Sequence, residues 1–157
     1  MIKENYNKIL ATVAAPARLI AVSKTKPVED LREAYEGGAR LFGENKALEM
    51  RDKHEVLPKD IEWHFIGHLQ TNKVKYIAPY IAMIHSVDSE RLIAEINKQA
   101  FKCGRVIDIL LELHIAQEDT KSGLTPEECL DLLDSDIKSR YPNVRICGLM
   151  MMASNTD

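Results

Sequence analysis

Six short apolar runs, each followed by a segment of helical character and none joined to the next by a hairpin turn, confine this chain to a parallel sheet covered by helices. The runs lie at residues 18–23, 40–43, 61–67, 83–87, 106–115 and 144–152. Parallel strands need crossover connections, which leaves two main architectures: a doubly wound open sheet or a (β/α) barrel. A closed eight-stranded barrel typically takes about 200 to 250 residues. The 157 residues here supply about six of eight βα units. The barrel reading therefore predicts one domain over residues 1–157 with the C-terminal barrel units missing. Open barrel edges would favour self-association.

The connecting helices carry their own punctuation. Pro27 opens one, Glu29 and Asp30 complement the dipole of its first turn, and Gly37-Gly38 stop it. Asn45 is placed to cap a helix running through Met50, and Thr71 to Tyr76 forms another. Asp88 or Ser89 caps a helix with Leu92, Ile93, Ile96 and Ala100 at helical spacing, which Cys103-Gly104 close. Thr125 caps the next, with Pro126 at its first position. At the N-terminus, Ile2, Tyr6, Ile9, Leu10 and Val13 define an amphipathic helix. Glu4 beside Lys3 and Lys8 fits that helix better than a signal segment.

Composition narrows the function classes. Hydrophobic residues at 45% and charged residues at 29% exclude a disordered chain, and a net charge of −3 argues against a general nucleic-acid binder. No apolar run approaches bilayer length, so no membrane partner is expected. Cys103, Cys129 and Cys147 form no C-x-x-C pair and read as buried reduced thiols of a cytoplasmic protein. His64 and His68 lie four apart where a strand turns into a loop, outside the helical setting of a zinc motif, so no metal site is read there.

In either architecture, ligands bind at the C-terminal ends of the strands. Four lysines follow strand ends, namely Lys24, Lys26, Lys73 and Lys121, and their convergence would suit a small anion such as a phosphate ester. Lys24 follows Ala21-Val22-Ser23 directly. Partial desolvation at the barrel mouth and nearby cations would both favour its neutral amine, the form that condenses with an aldehyde.

Five ordered motifs carry a resemblance. Ala21-Val22-Ser23-Lys24-Thr25-Lys26-Pro27, Phe42-Gly43-Glu44-Asn45, the segment from Trp63 to Lys73, EDTKSG from Glu118 to Gly123, and Gly148-Leu149-Met150 together resemble the pyridoxal phosphate homeostasis protein family, also called the YggS or PROSC family. The match runs from Ile20 to about Ala153. The resemblance implies a barrel of the alanine racemase N-terminal type that binds pyridoxal 5′-phosphate as a Schiff base on Lys24. It also implies that Asn45, His64, Gly67 and Met150 stand at the cofactor, with Lys26, Lys73 and Lys121 on the rim. Lys46 and His114 depart from the residues many members carry. Nothing after Met152 matches the segment that holds the cofactor phosphate in the family.

The function implied is intracellular cofactor homeostasis without robust catalysis, with cofactor-dependent apo-enzymes as partners. An amino-acid racemase is the alternative, but its second acid–base group would be a tyrosine from a separate β domain. Tyr35, Tyr76 and Tyr80 lie on predicted helices or their ends. A lysine aldolase would use the same desolvated lysine without explaining the five motifs, and a chain that has lost the site is the remaining reading.

Overall fold

A computed structural model describes residues 1–115 and 122–152. Strands β1 (Ala21–Val22), β2 (Leu41–Glu44), β3 (Glu62–Phe65), β4 (Met83–Val87), β5 (Ile107–Leu113) and β6 (Val144–Met151) form one parallel sheet in the order of the sequence. A doubly wound sheet must reverse its strand order at a switch point. No reversal occurs here, so the sheet advances in one direction like a partial (β/α) barrel.

Helices α1 (Ile2–Leu10), α2 (Val28–Glu36), α3 (Ala47–Val56), α4 (Glu90–Lys102), α5 (Pro126–Asp134) and α6 (Ile137–Arg140) occupy the connections, except that Thr71–Tyr76 is a 3-10 helix. Ser89 caps α4, its hydroxyl accepting the Leu92 N–H at 3.1 Å, and Thr125 with Glu128 forms a capping box on α5. Asn45 does not cap α3. Lys46 occupies the cap without a side-chain bond, because the chain stays extended for one residue more after β2. The first strand is also shorter than its apolar run, although the Ser23 N–H extends the ladder to the Gly43 carbonyl at 2.9 Å.

Register separates the two faces of the sheet. Glu44, Phe65, Ile84, Ile109 and Ile146 are successive partners across five strands on the helix-facing side. With Phe42, Trp63 and the buried stripe of α4, these apolar members form the core. The opposite face runs Val22, Gly43, His64, Met83, Asp108, Arg145 along one line of partners. That face is the inner wall of the partial barrel, and it is polar by comparison. Of the cysteines, only Cys129 is buried. Cys103 terminates α4 at the surface and Cys147 sits beside the β6 bulge, so both are exposed, contrary to the reading of three buried thiols. Among the described residues, no helix is long and apolar enough to cross a membrane.

Ile96 in α4 is fully buried, whereas Phe101 five residues later is 74% exposed. Ile96→Ala should cost about 2 to 5 kcal/mol of unfolding free energy by creating a core cavity. Phe101→Ala should stay within about 0.5 kcal/mol. Urea titration of both variants checks the contrast.

Candidate functional site

The inner wall and the loops that follow the strands enclose a cavity of about 400 Å³, lined by Lys24, Asn45, Ile66, Gly67, His68, Glu112, Ser122, Met150 and Met152. Lys24 enters because strand alternation turns Ser23 toward the helices and its successor toward the inner wall. Asn45 and Gly67 stand against each other: a β carbon on Gly67 would lie 2.9 Å from three atoms of Asn45. This close approach requires glycine. Gly123, at φ 108, lets Leu124 run beside β5, where its carbonyl accepts the His114 N–H at 2.8 Å and its N–H donates to the Glu112 carbonyl at 2.7 Å, and so brings Ser122 to the cavity.

The turn after β1 is held from behind. Ser23 is buried, and its hydroxyl contacts the fully buried Glu44 carboxylate. Lys53 of α3, 5% exposed, donates to the Ser23 carbonyl at 2.8 Å, to Glu44 Oε2 at 3.0 Å and to Glu49 Oε2 at 3.2 Å. Burial raises the Glu44 carboxyl above its ordinary range, while the Ser23 and Lys53 contacts pull it back down. Thr25 has a φ of 64, a conformation unusual for a residue with a branched β carbon, and its N–H donates to Glu49 Oε2 at 3.0 Å.

The sequence-derived set divides in space. Lys24, Asn45, Gly67 and Met150 share the cavity. Lys26 turns to a smaller pocket between the β1–β2 edge and helices α1 and α2, and Lys73 lines an adjacent depression with Lys46 and Gln70. Lys121 lies outside the described residues. The expected convergence of lysines is thus not what the described residues form, because the turns after β1 and β3 send Lys26 and Lys73 away from the cavity. Lys24 is also exposed rather than desolvated. The charged neighbour deepest in the cavity is a carboxylate, not a cation.

That carboxylate is Glu112, only 8% exposed on β5. Its pKa is raised, chiefly by burial and then by Asp88, with His68 opposing. The sequence reading passed over it. Its visible signal was an acidic residue within the apolar run of β5, two positions from Leu110 on the same face. His64 lies deeper on the inner wall, 3% exposed, with Nδ1 2.9 Å from His85 Nε2. Burial above all, then His85 and Arg18, lowers its pKa to about 4, and burial lowers that of His85 too. Both rings are neutral at pH 7. Among the described residues no group of three potential ligands could hold a metal. The tyrosines are engaged elsewhere: Tyr35 donates to Asp60 at 2.6 Å, and Tyr80 stacks on His54 with ring centroids 3.8 Å apart.

Residues 1–157 match the alanine racemase N-terminal domain family. The chain belongs to that family. It is 45% identical over 135 residues to the pyridoxal phosphate homeostasis protein of Aquifex aeolicus, an alignment covering 85% of this chain and 58% of that protein. The protein of that name from Synechocystis is 38% identical over 148 residues, covering 92% and 66%. The chain spans about three fifths of the length of curated relatives it matches. PipY of Synechococcus elongatus, solved with pyridoxal phosphate bound, superimposes with a TM-score of 0.89 at 32% identity over 100% of this chain and 73% of PipY. These matches place the chain in the pyridoxal phosphate homeostasis (YggS/PROSC) group. Alanine racemase from Enterococcus faecalis shares the fold, with a TM-score of 0.72 at 17% identity over 97% of this chain and 41% of the racemase.

Two predictions follow the electrostatics of the inner wall. Because His64 resists protonation in the fold, the unfolded chain takes up a proton first as pH falls from about 6.5 toward 4, so stability is lost across that window. Between pH 7 and pH 4 the wild type should lose about 2 to 3 kcal/mol more than His64→Gln, read from urea midpoints. An equal acid loss in the two proteins would show that His64 is not held neutral. For Glu112 the sign is opposite in pH: a raised carboxyl pKa destabilises the fold once the unfolded chain ionises, and the penalty disappears below the ordinary carboxylate range. Glu112→Gln should melt at higher temperature at pH 7, with the difference closing by about pH 4. A lower melting temperature at pH 7 would mean that the carboxylate is satisfied.

Proposed function

We propose that this chain holds pyridoxal 5′-phosphate through Lys24 and acts as one cofactor-binding unit in intracellular cofactor homeostasis, without turnover of its own. The observation that carries the proposal is the position of the Lys24 side chain. It opens from the C-terminal rim of the sheet onto a cavity of about 400 Å³ whose walls include Ile66, Met150 and Met152. Apolar walls with a few convergent polar groups suit a planar aromatic ligand. The binding of the same cofactor by PipY, a relative that superimposes along the whole chain, supports the choice of ligand.

Pyridoxal phosphate, when bound, supplies an electrophilic aldehyde. The residues fit that end of the molecule. Lys24 would hold the group through its neutral amine, the nucleophile that condenses with an aldehyde, both N–H protons leaving with the carbonyl oxygen as water. Asn45 and Gly67 form a close-packed edge of the cavity, and Ser122 offers a hydroxyl from the loop before α5. Among the described residues, Glu112 and His68 are further polar side chains available to the ring substituents. Lys26 and Lys73 then act through long-range attraction for the anion rather than by contact. Recipient apo-enzymes are the partners that such a role implies.

A holding role is favoured over racemisation by the placement of the acid–base groups. Racemisation needs a proton donor and acceptor on opposite faces of the substrate carbon. Tyr35 and Tyr80 are tied to Asp60 and His54 on the outer side of the sheet. The test is incubation with pyridoxal phosphate, borohydride reduction and peptide mass spectrometry. Wild-type protein should carry the adduct on Lys24, and Lys24→Ala should lose at least nine tenths of it. Adduct spread evenly over surface lysines such as Lys98 and Lys102 would overturn the assignment, and D-alanine formed from L-alanine would overturn the holding role.

A further inference from the structure

We infer that Lys53 and Glu49 of α3 are positioning residues for Lys24, clamping the backbone on both of its sides so that its amine is presented to the cavity. The inference rests on the binding role of Lys24 proposed above. Lys53 Nζ reaches the carbonyl of Ser23, the residue before Lys24, at 2.8 Å. Glu49 Oε2 accepts the N–H of Thr25, the residue after it, at 3.0 Å. The two clamps are one device, because Lys53 Nζ also lies 3.2 Å from that same Glu49 oxygen.

Three further observations make this a built arrangement. The Ser23 carbonyl is shared with the Lys26 N–H at 3.1 Å, so the turn that carries Lys24 closes on the atom that Lys53 holds. Thr25 keeps a φ of 64 at that turn, a conformation that persists only where the surroundings over-determine it. The opposite side of Lys53 is anchored by the fully buried Glu44, 3.0 Å away, whose carboxylate also meets the Ser23 hydroxyl. Lys24 itself is exposed, so its selection among the surface lysines comes from orientation. Lys53 does not compete for the ligand, since it is buried between the sheet and α3.

Glu49 is partly exposed and its variants keep the buried Glu44–Lys53 pair, so Glu49→Ala is the variant to test, whereas Lys53→Met strands a buried carboxylate and destabilises the fold. In the borohydride assay, Glu49→Ala should lower the Lys24 adduct at least fivefold relative to that on Lys98. Glu49→Gln, which keeps an acceptor for the Thr25 N–H, should restore it to within twofold of wild type. Equal Lys24 labelling in Glu49→Ala and wild type would overturn the inference. Amide hydrogen exchange without cofactor supplies the second reading. The Thr25 N–H should exchange at least tenfold faster in Glu49→Ala than in wild type and return toward wild type in Glu49→Gln. An unchanged rate would remove the clamp even if Lys24 binds the cofactor. Accelerated exchange in a protein whose wild type never labels Lys24 would sustain the clamp while refuting the proposed function.

Discussion

The parallel register of neighbouring strands is the constraint on which this molecule depends. Because side chains alternate along each strand, one register assigns Phe42, Trp63, Phe65, Ile84 and Ile109 to the helices and Gly43, His64, Met83 and Asp108 to the inner wall. The same register brings every strand's C-terminal end to one rim. A one-residue slip of β1 would turn Lys24 into the core and Ser23 into the cavity. The apolar burial on the helix side therefore fixes chemistry on the other side, although none of those apolar residues touches the site.

One polar group interrupts the helix-facing layer. Glu44 stands in line with Phe65, Ile84, Ile109 and Ile146, fully buried, with Lys53 as its charged partner. A buried ion pair commonly adds little net stability compared with an apolar pair of the same size, because desolvation offsets the attraction. Its value here is geometric. Hydrogen bonds have directions that apolar contacts lack, and the atoms at which Lys53 ends are those that set the turn after β1. The polar exception in the core and the strained Thr25 at the surface are therefore two ends of one arrangement.

Much of the architecture was legible because it follows from patterns of single residues. The alternation of apolar runs and helices marked all six strands, and local capping chemistry narrowed the α4 cap to Asp88 or Ser89, of which Ser89 caps, and placed Thr125 on α5. The cavity residues Lys24, Asn45, Gly67 and Met150 were legible through strand ends and the ordered motifs. Other features depend on distances that a sequence does not carry. Lys26 and Lys73 follow strand ends as Lys24 does, but the direction of the turn after each strand, set by Thr25 and by the 3-10 helix, sends them elsewhere. Glu112 was hidden within an apolar run that reads as core. Lys53 looked like one more helix-surface lysine, since its burial arises from Glu44, nine residues away.

The hold on the turn after β1 offers an account of how Lys24 could be selected. Desolvation would favour a neutral amine by excluding water, yet Lys24 is exposed while the carboxylate at the cavity wall is the buried group. An exposed amine distinguishes itself from its neighbours by being held where the aldehyde must arrive, since restricting the approach of two reacting groups accelerates their union without altering either one. The buried contacts of Lys53 and the bond from Thr25 to Glu49 supply such a restriction from outside the cavity. They leave the inner wall free for the ligand. In this arrangement the sheet provides the direction of Lys24 and α3 provides the hold.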